Sequence, residues 1–204
     1  MLISNGSYVT KIVPAGIPVG IIEWDGIDDK IGFPSHPDVT GSKTITFNAV
    51  FESYGVSQAE DVFVFGSNSN DYLDVTYITN VERMRVAASV SGGSIDYDIS
   101  GIIGTQVEIE IIKTAGVIVS TKANGNALPI FTTGSGNSAT SESTIGYHPD
   151  VGAFKYLHHA LLWDIQIDGV GLWKGYPAGN TNTAWEDQIG AIDGSVFGDP
   201  SITP

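Results

Sequence analysis

The stretch Ile22–Phe33 reads I-E-W-D-G-I-D-D-K-I-G-F, and it predicts how the rest of the chain is built. Trp24 lies on the apolar face of one extended segment, and Phe33 lies on the apolar face of the next. Between them Asp25-Gly26 favours a turn, because glycine tolerates positive φ and aspartate can bond to backbone two residues on. We therefore predict a corner between two strands, with aromatic side chains inward and a cluster of carboxylates outward: Glu23, Asp25, Asp28 and Asp29.

Other segments alternate apolar and polar residues with a period of two, as half-buried strands do. The strictest runs from Thr44 to Phe51, and the longest from Leu157 to Ile167. In the second run His159 shares the apolar face, His158 points the opposite way, and Asp164 and Gln166 point outward. Asn124-Gly125 is the strongest hairpin signal of the chain. With about ten to twelve short strands and no sustained 3.6-residue period, we predict an all-β sandwich with little helix.

Length and composition restrict the class of protein. The chain has 204 residues, no cysteine and a formal net charge of −14. One sandwich of this length buries a core without disulfides. An acidic surface repels phosphate and anionic lipid, so we expect no nucleic-acid partner. No apolar run approaches the roughly 20 residues that a membrane helix needs, and residues 1–11 do not resemble a secretory signal, so we expect neither membrane insertion nor secretion.

Three segments resemble the laminin-G-like domains of the concanavalin A-like lectin/glucanase superfamily. W-D-G-I-D-D-K-I at the corner is similar to the F-D-G-x-D-D-Y-I segment of that family. Val117–Leu128 is similar to its strand, x-N-G tip and returning strand. Residues 154–198 are similar to its closing strand followed by a tryptophan- and glycine-rich element. The resemblance implies a concanavalin A-like antiparallel β-sandwich, also called a jelly roll.

The order of these segments departs from the usual family pattern. The tryptophan- and glycine-rich element commonly precedes the D-G-x-D-D corner, whereas here it follows the closing strand. This arrangement resembles laminin-G-like proteins of bacteriophage virions. We therefore expect a single domain over residues 1–204, with 168–204 as a closing extension. Trp173 and Trp185 would pack on the sandwich or on a neighbouring subunit.

The resemblance implies a structural protein of the virion, made in the host cytoplasm without a signal peptide. Capsid decoration and a tail or fibre appendage both fit. Its partners would be other virion proteins and further copies of itself in a homo-oligomer, with host-surface glycans as candidate ligands. Two alternatives stay open, a free-standing glycan-binding lectin and a glycan-cleaving enzyme.

Acidic residues are the first candidates for catalysis. Glycosidases of the superfamily use paired acids on one strand, because cleavage needs an acid and a base or nucleophile. Glu108 and Glu110 share a face, but their alternation with Val107 and Ile109 is typical of any solvated strand. No G-x-S-x-G motif, cysteine nucleophile or P-loop is present. We expect no catalytic residues and a protein that is not an enzyme.

Two ligand sites are predicted. Asp25, Asp28 and Asp29 provide the hard oxygen atoms that calcium prefers, although the spacing is not that of an EF-hand and no cofactor is required. For glycans, aromatic rings in loops are the usual platforms, since the C–H face of a sugar packs on a ring. The candidates for glycan binding are Tyr147, His148 and Tyr176.

Overall fold

The computed structural model describes residues 16–18, 20–68, 71–88, 93–134, 141–149, 156–175, 184–190, 192–198 and 201–202. Within these residues the fold is all-β, as predicted, with two large antiparallel sheets packed as a sandwich. The described helical elements are two 3-10 turns, Thr79–Val81 and Ser100–Ile102. No helix within the described ranges is long and apolar enough to cross a membrane.

One sheet has six strands in the order β10-β9-β8-β3-β13-β14. Its central strand is β3, which pairs along most of its length with β8 on one side and with β13 on the other. The strands are β3 (Ser42–Phe51), β8 (Val107–Thr114), β9 (Val117–Ala123), β10 (Asn126–Ala127), β13 (Ala160–Ile167) and β14 (Gly171–Trp173).

The other sheet has nine strands in the order β11-β7-β6-β5-β4-β12-β2-β16-β15. A separate pair, β1 (Ile22–Glu23) with β17 (Ser201–Ile202), joins the corner to the end of the chain. The nine strands are β2 (Lys30–Gly32), β4 (Ala59–Asn68), β5 (Asp71–Ile78), β6 (Arg83–Ala87), β7 (Ser94–Asp98), β11 (Ile130–Gly134), β12 (Thr144–Ile145), β15 (Ala184–Trp185) and β16 (Gly194–Phe197).

The inner faces of the two sheets form one large apolar core, to which the alternating residues of β3 contribute as predicted. Trp173 and Trp185 are fully buried in this core. The ring of Trp185 meets that of Trp24 edge to face at 6.3 Å. Phe33 packs in the same way on Trp173, with centroids 5.2 Å apart. The closing segment therefore packs on the corner of its own chain.

Strand β13 corrects one prediction about the core. Its register with β3 shifts between Trp163 and Gln166, so a β-bulge interrupts the alternation. Before the bulge Leu162 faces the core while Trp163 faces outward, and after it Ile165 faces the core. The single apolar face predicted for 157–167 was therefore wrong, because one extra residue reverses which side chains point inward.

Trp163 belongs to a second, smaller cluster on the outer face of the six-stranded sheet. Ile21, Val50 and Leu161 complete it, and Ile17 packs against it. This cluster covers one end of the outer face. The polar residues of the same strands lie beyond it.

Candidate functional site

The outer face of the six-stranded sheet carries a groove, which we call the polar groove. Its main part has a volume of about 330 Å³. A second depression of about 220 Å³ continues it and shares Thr46 and Gln166. The lining residues of the two parts are Thr44, Thr46, Phe47, Asn48, Glu108, Asp164, Gln166, Asp168, Leu172 and Lys174.

Four strands place these side chains on one surface. On β3, Thr46 and Asn48 alternate with the core residues of the strand, so they point away from the core. Glu108 of β8 lies opposite Asn48 in the antiparallel register. On the other side of β3, Gln166 of β13 lies opposite Thr46. The strand alternation thus creates a continuous polar strip across the sheet.

Asp164 sits in the β13 bulge in an unusual backbone conformation. Its φ is +50°, in the left-handed region that non-glycine residues seldom adopt. Its N–H donates to the carbonyl of Lys174 at 3.0 Å, which fixes the strand at this point. The side-chain amide of Asn48 donates to Asp164 Oδ2 at 3.3 Å. Such a conformation costs on the order of 1–3 kcal/mol and is concentrated at functional sites.

The groove is rich in directional hydrogen-bonding groups. Asn48 and Gln166 each offer an amide donor and acceptor, Lys174 offers an ammonium group, and Glu108 and Asp164 offer carboxylate acceptors. These groups suit a ligand with many hydroxyl groups, since each hydroxyl both donates and accepts.

The sequence predicts that Asp164 and Gln166 point outward, but it does not connect them with Glu108. The missing information was strand order, because β13 and β8 flank β3 although they are far apart in sequence. Glu110, the other acid weighed as a catalyst, is bonded to Lys122 across the strands at 2.6 Å. The sequence does carry one signal for the groove, the row of polar residues at 44, 46 and 48 on one face of the strand.

The predicted calcium ligands Asp25, Asp28 and Asp29 do come together. One oxygen of each carboxylate lies within 4.8 Å of the others. However, Asp25 Oδ1 already accepts the Ile27 N–H at 2.7 Å, and Asp29 Oδ2 accepts the Asp25 N–H at 2.9 Å. These bonds hold the backbone of the turn. The donor set fits a hard cation in chemistry, and calcium binding here stays a prediction.

The predicted glycan platform lies on the opposite sheet. Tyr147 is partly buried and stacks on Tyr156 at 4.2 Å. Lys30 Nζ lies 5.6 Å from the centre of the Tyr147 ring and 5.4 Å from the centre of the Phe197 ring. Lys30 and Phe197 also line a cleft of about 450 Å³. His148 is fully buried, so its ring does not face a surface ligand. Tyr176 lies outside the described residues.

The paired histidines differ from the prediction. They precede β13 and are not part of a strand, so their rings stack at 4.5 Å instead of facing opposite ways. His159 also stacks on Tyr54 at 4.0 Å, and its Nδ1 is bonded to the buried Glu60. His159 is satisfied by these contacts, but it does not lie on the core face with Ile165.

Comparisons with known proteins do not identify the chain. No protein-family model matches it. A search of curated proteins also finds no match. The functional assignment therefore rests on the groove and on the motifs of the sequence.

Proposed function

We propose that the protein is a non-catalytic, carbohydrate-binding β-sandwich of the concanavalin A-like type, and that it serves as a structural component of bacteriophage virions. The polar groove holds the ligand, a glycan of the host surface. Copies of the protein and other virion proteins are its assembly partners. The virion assignment is supported by the motifs at the corner and in the closing segment.

The observation that carries the ligand proposal is the Asp164 bulge. A strained residue persists only where the surrounding structure maintains it. Here the bulge turns a carboxylate toward Asn48 and into the groove shared with Gln166 and Lys174. A regular strand would avoid the strain but would not aim the carboxylate in this way. Carboxylate and amide groups in such an arrangement suit sugar hydroxyls, because charged acceptors make the stronger hydrogen bonds.

A glycan array followed by calorimetric titration of the best glycan tests the proposal. Asp164→Asn keeps the size and tolerates the left-handed backbone, but removes the charge. We expect at least a tenfold weaker Kd, roughly the 1.4 kcal/mol that one good charged hydrogen bond provides. Glu186→Gln, an exposed residue that does not line the groove, is the control and should bind as the wild type does.

Equal binding by Asp164→Asn and the wild type, or no saturable binding to any glycan, would contradict the proposal. The same samples test the enzymatic alternative, because Glu108 and Asp164 both line the groove. Hydrolysis of the bound oligosaccharide that disappears in both Glu108→Gln and Asp164→Asn would show that the protein is an enzyme.

A further inference from the structure

The outer face of the nine-stranded sheet contains two buried carboxyl groups that the proposed function does not use. Asp61 of β4 and Asp74 of β5 are both fully buried. A register shift between Asp61 and Phe63 brings the Asp61 side chain to the outer face of the sheet, beside Asp74. Core residues Phe63 and Val75 of the same two strands point the other way.

The two carboxyl groups have very different partners. The hydroxyl of Tyr72 donates to Asp74 Oδ2 at 3.0 Å, and the hydroxyl of Thr76 donates to Asp74 Oδ1 at 3.2 Å. Both oxygens of Asp74 therefore act as hydrogen-bond acceptors. By contrast, no N–H or O–H donor of the described residues reaches either oxygen of Asp61. The group in contact with Asp61 is the carboxyl of Asp74.

Two ionised carboxylates in contact away from water repel each other and lose their hydration, so both cannot stay charged. A proton on Asp61 resolves this. Asp61 then becomes the donor of a strong hydrogen bond to Asp74, which also accepts from the hydroxyl groups of Tyr72 and Thr76. We propose that Asp61 and Asp74 are a proton-sharing pair, and that loss of the shared proton weakens the β4–β5 part of the sheet at alkaline pH.

Neighbouring charges are consistent with one proton on the pair. Arg85 of β6 makes two bonds to Asp96 of β7, at 2.7 and 3.0 Å. The charge of Arg85 is thus already neutralised by Asp96, although Asp74 also helps to raise the pKa of Arg85. Tyr72 is a further titratable neighbour, and burial together with the two aspartates raises its pKa, so it stays a neutral donor. None of these groups supplies a free positive charge to Asp61.

The direction of the pH effect follows from linkage. Burial, and then the charge of Asp74, raise the pKa of Asp61 well above its ordinary value of 3.8. The folded protein therefore keeps a proton that the unfolded chain releases above about pH 4. The stabilisation is complete below that pH, falls as the pH rises, and is fully lost once the pH passes the folded pKa. Over that interval the unfolding equilibrium constant rises by up to about tenfold per pH unit.

The test compares denaturant unfolding and infrared spectra of the wild type and Asp61→Asn between pH 5 and pH 9. The asparagine amide can donate to Asp74 as the protonated acid does, but it does not titrate. We expect the wild type to lose stability across this range and Asp61→Asn to lose much less. We also expect the wild type, but not the variant, to show the carbonyl band of a protonated carboxylic acid at neutral pH. Glu186→Gln, which changes an exposed carboxylate outside the groove and far from this pair in sequence, should behave as the wild type does.

The infrared measurement does not depend on how well the variants fold, because it reads the protonated acid in the wild type directly. Absence of that band at pH 7, or an equal alkaline loss in Asp61→Asn, would overturn the proposal. A third outcome would also overturn the proposal: a chelator lowers the stability of the wild type, Ca²⁺ restores it, and neither affects Asp61→Asn. A cation would then occupy the place of the proton.

Discussion

Glu60 shows how a single buried carboxylate fixes a segment next to the sandwich. Its side chain is fully buried, and its Oε2 accepts the N–H groups of His158 and His159 at 2.9 and 2.8 Å. Glu60→Ala would leave both donors without this acceptor, so we expect a loss of about 2–3 kcal/mol in the free energy of unfolding by urea denaturation. Glu142→Ala removes a carboxylate that pairs with Lys30 at the surface and should cost less than about 1 kcal/mol. Equal losses in the two variants would contradict this role.

Asp187 holds the closing segment in a comparable way. Its Oδ1 accepts the N–H groups of Leu172, Ile189 and Gly190 at 2.9–3.0 Å. Partial burial raises the pKa of this carboxyl, but the backbone donors outweigh it and hold the pKa below its usual value. The stabilisation is therefore present above about pH 4 and is lost as the pH falls through the folded pKa. We expect Asp187→Asn to flatten the acid limb of a stability–pH profile measured by thermal unfolding. An unchanged acid limb would contradict this.

At the scale of the element, the β9–β10 hairpin tip confirms the Asn-Gly prediction. Asn124 and Gly125 both have positive φ, +48° and +78°, as the two-residue turn requires. A Cβ at Gly125 meets no atom within 4 Å, so Gly125→Ala tests the backbone alone and should cost about 1–2 kcal/mol. Gly101 is equally open and has no positive φ, so Gly101→Ala should be nearly neutral in the same unfolding assay. Equal losses of stability in Gly125→Ala and Gly101→Ala would show that a side chain at position 125 does not strain the backbone of the turn.

The elements also show which parts of the fold a sequence can predict. Long strands such as β3 gave a clear alternation, because half of each strand faces the core. Strands of two or three residues, such as β1, β12 and β15, are too short to show a period, so the prediction of ten to twelve strands was too low. The bulge at Asp164 could not be predicted either, since the alternation of polar and apolar residues continues through it. The groove could not be predicted because it depends on the order of the strands, which places β8 and β13 on either side of β3.

For the whole molecule, contact between Trp24 and Trp185 connects the corner to the closing segment. Trp185→Ala should cost about 3–5 kcal/mol, because the side chain is fully buried. In a double-mutant cycle with Trp24→Ala, we expect a coupling energy of about 0.5–1.5 kcal/mol from the ring contact. Additive losses would mean that the two segments are stabilised independently.

Assembly is a second property of the whole molecule. Strand β11 lies at the edge of the nine-stranded sheet and is exposed along its length, with Ile130 63% and Phe131 54% accessible. Exposed edges of this kind favour pairing with another chain unless they are covered. In line with the proposed place in a virion, we expect light scattering of the purified protein to give a mass above that of one chain. A strictly monomeric particle at high concentration would contradict this expectation.

The central claim is that the outer face of the six-stranded sheet binds a glycan. The most direct measurement is a backbone amide NMR titration with the glycan that scores best on the array. We predict shifts concentrated on β3, β13 and β14 around Asn48, Asp164 and Gln166, with little change at Tyr147 or at the Asp25–Asp29 turn. Saturable shifts confined to Tyr147, Lys30 and Phe197 would place the ligand on the opposite sheet and contradict the claim.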